Sequence, residues 1–322
     1  MIGEIVRSGR AKLEEATRLL RYAEENRKPR DLSVPKCPLV LRVEVTNRCN
    51  SNCVFCAYQY QTRPWVAMTD EIFRRAVDQF TALGGRAINF SPIVGEALFD
   101  KRLEEKVSYA RQFPQFVKME LYTNGILLTR KRFESLVDAG INEFHVALSG
   151  FSAAEYERVY RNPGYSTVFR NLREIAASSA AKEVSVVIHS HTDSLWPEDE
   201  PDYQTIRDLK TFPILVGPDV VSWHGSIKQS DLPGHMFLVN PVRVQRKPCF
   251  MLWGGFAVLA DGRMTLCGCT DVDGTGLPLG NIQSVDLDAH LRDGRWSRWC
   301  DSFGEGNPPA FCRGCDSYWP HG

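Results

Sequence analysis

Cys49, Cys53 and Cys56 stand in a C-x3-C-x2-C pattern directly after the β-branched run from Leu39 to Val45. A loop that starts at a strand end can wrap three thiolates around one iron–sulfur cluster while its backbone stays irregular. Three thiolates on a 4Fe–4S cluster leave one iron without a protein ligand, open to a small molecule. The competing reading of the same residues is a zinc knuckle or three buried thiols. A second group, Cys249, Cys267, Cys269, Cys300, Cys312 and Cys315, closes the chain and ends in C-x2-C. Four of these thiolates suit a second cluster or a zinc ribbon. Six thiols exceed four ligand places, and a protonated surplus thiol can donate a hydrogen atom.

The bulk composition bounds what surrounds these groups. At 322 residues, one large α/β domain with an appendage is expected. Apolar residues make up 43% and charged residues 24%, ordinary for a globular chain. Lys+Arg and Asp+Glu both number 39, so no global field points to nucleic acid or an anionic membrane as partner. The N-terminus is charged throughout and reads neither as a signal peptide nor as a spanning helix. Ten cysteines without a secretory signal argue for metal or redox chemistry in a reducing compartment, so a cytoplasmic location is expected.

The elements that must position the cysteines alternate along the chain. Residues 1–36 read as an amphipathic helix and a charged lead-in, with Cys37 a structural thiol before the first strand. Strand-like runs follow at 39–45, 87–93, 117–122, 141–148, 184–190 and, weakly, 219–223. Helical runs fall between them at 69–85, 101–113, 129–140 and 167–181, two opened by Thr69 and Thr129 and closed by Gly84 and Gly140. Such alternation implies βαβ units and a parallel sheet. Six repeats are too few to close an eight-stranded barrel, so a partial (β/α)6 barrel spanning 37–240 is expected. Parallel barrels place their chemistry at the C-terminal ends of strands, where the first cysteine group lies. Past Pro248 the composition changes, with two short runs joined by Ala260-Asp261-Gly262, a hairpin signal, inside a distinct region 241–322.

The cysteine spacing, with Phe55 and Tyr58 around the last cysteine, resembles that of the radical S-adenosylmethionine (SAM) superfamily. There the open iron holds the amino and carboxylate groups of SAM. Val94-Gly95-Glu96-Ala97 resembles that family's G-G-E-P motif, whose acidic residue receives the SAM ammonium, although two of its four positions differ. Thr123-Asn124-Gly125 resembles its T-N-G turn, Ser149 a position whose hydroxyl meets SAM, and Arg161 an arginine that pairs with the SAM carboxylate. The C-terminal region resembles the shortened SPASM, or twitch, region that binds one auxiliary 4Fe–4S cluster. Family spacing makes Cys249, Cys267, Cys312 and Cys315 the simplest ligand set. The alternative takes Cys267, Cys312 and Cys315 with Cys269 or Cys300 and frees Cys249.

The resemblance implies two 4Fe–4S clusters, SAM and an external electron donor such as flavodoxin or ferredoxin. A small chain of this kind is similar to the aminoglycoside-biosynthesis members, of the neomycin epimerase type and next the 2-deoxy-scyllo-inosamine dehydrogenase type. An epimerase is expected, with Cys249 the candidate hydrogen-atom donor. Such a donor wants apolar surroundings that keep it protonated, not a helix N-terminus or nearby cations. The acidic loop with Asp193, Glu198, Asp199, Glu200 and Asp202 suits a cationic aminosugar. Peptide-modifying relatives, the other alternative, usually carry a leader-binding module, for which 36 residues are expected to leave no room, although a separate partner could supply one. His189 and His191 are expected to line the barrel mouth.

Overall fold

The computed structural model describes residues 40–320 except 92, 195–196 and 209–211. The expected N-terminal helix and Cys37 lie outside the described residues. Six parallel strands run in sequence order: β1 (Val40–Val43), β2 (Ala87–Phe90), β3 (Lys118–Thr123), β4 (Glu143–Ala147), β5 (Ser185–His191) and β6 (Ile214–Gly217). A separate parallel pair, β7 (Asp219–Val220) and β8 (Phe237–Leu238), follows. The main sheet then continues beyond β1 with β9 (Gly255–Val258), β10 (Arg263–Thr265) and β11 (Pro278–Asn281). Its order is β11-β10-β9-β1-β2-β3-β4-β5-β6, a mostly parallel α/β sheet consistent with a partial barrel.

The connecting helices are α1 (Asp70–Ala82), α2 (Leu103–Arg111), α3 (Arg130–Ala139), α4 (Ala153–Tyr160), α5 (Tyr165–Ala176) and α6 (Pro201–Asp208). Thr69 and Thr129 cap α1 and α3 through Ile72 N–H and Arg132 N–H, each at 3.3 Å. Gly140 ends α3 at φ 129°, a backbone conformation that costs a residue with a Cβ. Alternate strand residues Leu41, Val43, Ile88, Phe90, Met119, Leu121, Phe144, Val146, Val186 and Ile188 form one core with Ile72, Phe73, Phe80, Val107, Phe133, Leu136, Val168 and Leu172 from the helices. The intervening strand residues therefore face the other side of the sheet, and several are polar. No described helix is long and apolar enough to cross a membrane.

Three assignments differ from the sequence expectation, one of them helix α6, which no expected helical run covers. The sixth strand is β6 at Ile214–Gly217, paired as Ile188↔Ile214, and not 219–223. Asp219 and Val220 pair with Phe237 and Leu238 instead. The apolar run 214–216 follows Pro213 and is short, and as the last strand of the order it leaves Leu215 and Val216 exposed, so its strand signal is weak. Helix α4 has no counterpart among the expected helices. Its cap, Ser152 accepting from Glu155 N–H, follows a Gly-Phe turn that hides the start.

The C-terminal region is built onto the barrel's first strand. β9 lies parallel to β1, with Val40↔Gly255 through Val43↔Val258 in register, and turns through Ala260-Asp261-Gly262 into antiparallel β10. Gly262 adopts φ 85°, as the expected hairpin requires. Three further helices, α7 (Phe250–Gly254), α8 (Leu287–Leu291) and α9 (Arg295–Gly304), pack beside it. One buried ion pair ties the pieces together. Arg63 grips both oxygens of Glu44 at 2.7 and 2.8 Å, while Ala260 N–H donates to Glu44 at 3.1 Å. Burial pushes the Glu44 carboxyl upward, and the Arg63 contacts oppose that shift.

Removing one partner of such a pair leaves a buried charge alone, so Arg63→Met is expected to cost about 3–5 kcal/mol. Urea unfolding at pH 7 measures it, and a loss below about 1 kcal/mol would contradict the role given to the pair.

Candidate active site

The first cysteine group occupies the loop after β1. Asn47 closes its base, donating through Nδ2 to Pro64 O at 2.9 Å and accepting at Oδ1 from Val66 N–H at 2.8 Å. Inside the loop, Ser51 N–H donates to Cys49 Sγ and Tyr58 N–H to Cys56 Sγ, both at 3.4 Å. Tyr58 OH donates to Cys49 O at 3.3 Å. Phe55 packs edge-on against Tyr160 at 5.7 Å and lies 4.6 Å from His191, while its carbonyl accepts from Trp223 Nε1 at 2.9 Å.

The next strand ends meet this loop. Glu96 is buried and its own N–H donates to Arg48 O at 2.7 Å. Its carboxylate accepts from Asn124 N–H at 2.7 Å, Thr123 Oγ1 at 2.8 Å and Leu98 N–H at 3.1 Å. Burial raises its pKa and these donors oppose the rise. Gly95, at φ 134°, lies so close to the loop base that an added Cβ would stand 2.7 Å from Thr46 O. Asn124 Nδ2 donates to Asn50 Oδ1 at 2.6 Å and reaches Cys49 Sγ at 3.9 Å. Ser149 is fully buried and its hydroxyl donates to His191 O, which leaves its oxygen lone pairs to accept. Arg161, left-handed at φ 49°, reaches Gln59 Oε1 at 3.0 Å and so lies beside the cysteine loop. Cys49, Cys53, Cys56, Phe55, Tyr58, Gly95, Glu96, Asn124 and Arg161 thus gather at one end of the sheet.

These thiols fit a cluster better than a single ion. Burial and mutual repulsion push Cys49 up to about 12, with Cys53 also raised and Cys56 near 11 from burial. Buried thiols that oppose one another's ionisation become stable thiolates when they share bound cations. Tetrahedral zinc would hold its sulfurs roughly 4 Å apart, given Zn–S bonds near 2.3 Å. Among the described residues no three cysteine sulfurs lie within 4.8 Å of one another.

In the C-terminal region, Cys249, Cys267, Cys269, Cys312 and Cys315 line one cavity with Met251, Phe311 and Tyr318. Cys300 does not line it; it is fully buried on α9, whose Trp296 and Phe303 are buried with it. Cys249 sits at the N-terminus of α7, and although burial raises its pKa, the amides of Trp319, Met251 and Leu252 oppose that rise. The net direction is upward, as for Cys269, Cys312 and Cys315 in this cavity. Thr270 N–H donates to Cys267 Sγ at 3.4 Å. Cys269 Sγ contacts Ser317 Oγ at 2.9 Å, and burial, followed by repulsion from Cys267, pushes its thiol up to about 12.

The face of the sheet opposite the helices carries residues that the sequence reading passed over. Strand register sets Arg42, Asn89, Glu120 and Glu143 in one row. Lys118 Nζ lies 2.6 Å from Glu120 and 3.2 Å from Glu143. Above them Tyr122 stacks on His145 at 4.1 Å, and His145 joins Glu143 at 2.7 Å and His189 at 2.8 Å. With Glu143 ionised and His145 neutral, His145 Nε2 carries the proton and Nδ1 accepts from His189 Nε2. His189 Nδ1 is then left as a proton acceptor on this face. The available signal was period-two alternation of polar with apolar residues in strands expected to be buried on both sides.

Residues 43–198 match the family model of the radical SAM superfamily, and residues 249–316 match that of an iron–sulfur cluster-binding domain, SPASM. The chain carries a radical SAM domain and a SPASM domain. It uses SAM, a 4Fe–4S cluster in the radical SAM domain and auxiliary iron–sulfur in the SPASM domain. A GTP 3',8-cyclase of Mycolicibacterium smegmatis is 32% identical over 157 residues, 48% of this chain and 42% of that protein. The chain spans less than half the length of the curated relatives it matches. The crystal structure of BtrN in complex with AdoMet and 2-DOIA superposes with a TM-score of 0.57 at 20% identity, covering 83% of this chain and 87% of that one. Streptococcus suis SuiB bound to precursor peptide SuiA gives 0.60 at 12% identity, covering 88% of this chain and 70% of that one. At these identities the likeness is one of fold.

Reconstituted protein is expected to hold about eight irons per chain, and Cys49→Ala/Cys53→Ala/Cys56→Ala about four, by iron and sulfide analysis. Zinc at either site would contradict the cluster assignment. The His189 imidazole is pushed down to about 4, by burial first and then by His145 and His191. Between that value and 6.5 the unfolded chain binds a proton that the folded chain does not, so this contribution to stability is complete above pH 6.5 and is lost as pH falls toward 4. The urea midpoint of His189→Gln should therefore fall less between pH 7.5 and 5 than that of the parent. An equal fall in both would refute the assignment.

Proposed function

We propose that the chain is a radical SAM epimerase acting on a small aminosugar substrate of the aminoglycoside type, with Cys269 as hydrogen-atom donor. The observation that carries this reading is the fifth thiol of the SPASM cavity. Cys249, Cys267, Cys312 and Cys315 are taken as the auxiliary ligands. That leaves Cys269 outside the ligand set, its sulfur on Ser317 Oγ within the cavity. Cys249 was the sequence-based candidate for donor, but its place at a helix N-terminus supports the ligand role instead.

Cys49, Cys53 and Cys56 would hold the cluster that binds SAM, with Glu96, Asn124, Ser149, Arg161 and the rings of Phe55 and Tyr58 around the cofactor. Bound there, SAM and the reduced cluster supply a 5′-deoxyadenosyl radical that takes a hydrogen atom from a substrate C–H bond. The Cys269 S–H bond then breaks and a C–H bond forms on the opposite face of that carbon, leaving a thiyl radical at Sγ. One electron from an external donor of the flavodoxin or ferredoxin class and one proton restore the thiol. His189 Nδ1 and the carboxylate of Glu143 offer acceptors for the hydroxyl and ammonium groups of such a substrate. The acidic loop contributes less than the sequence implied. Asp193 pairs with Arg158 at 2.6 Å, and Asp202 accepts from Tyr165 OH at 2.6 Å.

Reduced enzyme, SAM and a neomycin-type substrate in deuterated water should place one deuterium at an inverted carbon, read by mass spectrometry and NMR. Cys269→Ala should still cleave SAM but give no inverted product, whereas Cys249→Ala should lose about four irons. Loss of two substrate hydrogens without deuterium uptake would assign a dehydrogenase instead. Loss of irons from Cys269→Ala would make Cys269 a ligand and end this proposal.

A further inference from the structure

Arg42, on β1, crosses from the polar face of the sheet toward the SPASM cavity, and its Nη1 is buried without a hydrogen-bond partner among the described residues. The residue is 8% exposed. No carboxylate comes within 4.0 Å of it among the described residues. Its neighbour across the sheet, Asn89, donates to Glu120 instead, and Glu120 takes Lys118. A fixed positive charge buried in this way costs several kcal/mol unless something anionic offsets it.

The fold makes deliberate room for that charge on the side of the auxiliary cysteines. At Gly268, between Cys267 and Cys269, an added Cβ would run into Arg42 Cδ and stand 2.9 Å from Nε and 3.3 Å from Nη1. At Gly255, the first residue of β9, an added Cβ would meet Val40 O of β1 first and stand 3.2 Å from Nη1, so that glycine serves the strand pairing. Gly268, in the Cys-Gly-Cys sequence itself, is the glycine that makes room for the arm.

We propose that Arg42 is the resident counter-charge of the auxiliary iron–sulfur site, holding its reduction potential up and linking it electrostatically to the polar face of the barrel. This rests on reading the SPASM cavity as a cluster site. A thiolate-bound cluster is anionic and gains negative charge on reduction, so a nearby fixed cation favours the reduced form. Arg42 is a positioning residue in this account: it ligates nothing and touches no substrate.

The test is a redox titration followed by electron paramagnetic resonance, on reconstituted full-length Cys49→Ala/Cys53→Ala/Cys56→Ala protein, in which only the auxiliary cluster remains. Adding Arg42→Gln should disfavour reduction at least tenfold, a fall of 59 mV for one electron. Arg42→Lys should recover most of that loss. Gly268→Ala keeps the charge but displaces the arm, and should shift the potential in the same direction, which covers the case in which Arg42→Gln fails to fold or load iron. An unchanged midpoint in iron-loaded Arg42→Gln, or in Gly268→Ala, overturns the inference while leaving the cluster assignment intact. Absence of iron from the background protein without the Arg42 change overturns the cluster assignment itself.

Discussion

Parallel pairing of β9 with β1 is the constraint from which the arrangement of this chain follows. It puts both cysteine groups on the flanks of one strand. The first group hangs from the loop after β1, and the second surrounds the ends of β9 and β10. Because four consecutive pairs fix the register from Val40↔Gly255 to Val43↔Val258, a slip by one residue would turn Arg42 into the apolar core and Leu41 out of it. The Glu44 pair reinforces the same register, since its carboxylate is shared between Arg63 on the cysteine-loop side and Ala260 in the hairpin turn.

Three buried ionic groups around this strand are handled in three ways. Glu44 has a bidentate guanidinium, the strongest local answer to desolvation. Glu96 has no cation but three hydrogen-bond donors, two from backbone amides, so its oxygens are fixed before any ligand arrives. Arg42 has neither. The first two are complete within the protein and can be read as architecture, while the third is incomplete and points outside the polypeptide. That difference, and not burial itself, marks where a missing group belongs.

Much of this was legible in the sequence, and the failures have physical causes. The cysteine triplet, Glu96 and Asn124 are carried by short spacings after strands, and the fold gathers them because parallel strands end on one side. The substitutions at Val94 and Ala97 look like damage to a motif, yet both residues are fully buried beside the loop, so the chain fills that space with apolar side chains. Arg42, Glu120, His145 and His189 were invisible as a set because their relation is register between strands, which no local spacing encodes. The choice of Cys249 as candidate donor met a similar limit. Flanking Phe250, Met251, Leu252 and Trp253 look apolar in sequence, but they form a helix whose N-terminus faces the sulfur.

The polar face also bears on which substrate the proposed reading can accommodate. Its row of charges is balanced, with Arg42 and Lys118 against Glu120 and Glu143, so it presents no strong anionic field to draw in a polycation. Arg158 offsets the charge of Asp193, and the Tyr165 hydroxyl holds Asp202 in place, which leaves the loop less free to supply one. Selection of an aminosugar would then rest on hydrogen bonding at short range. Neutral His189, with its tautomer set through His145 and Glu143, offers an acceptor whose direction is fixed by two further contacts and by the Tyr122 stack. Such a site distinguishes substrates by where their hydroxyl and amino groups point, the property an enzyme that inverts one carbon has to read.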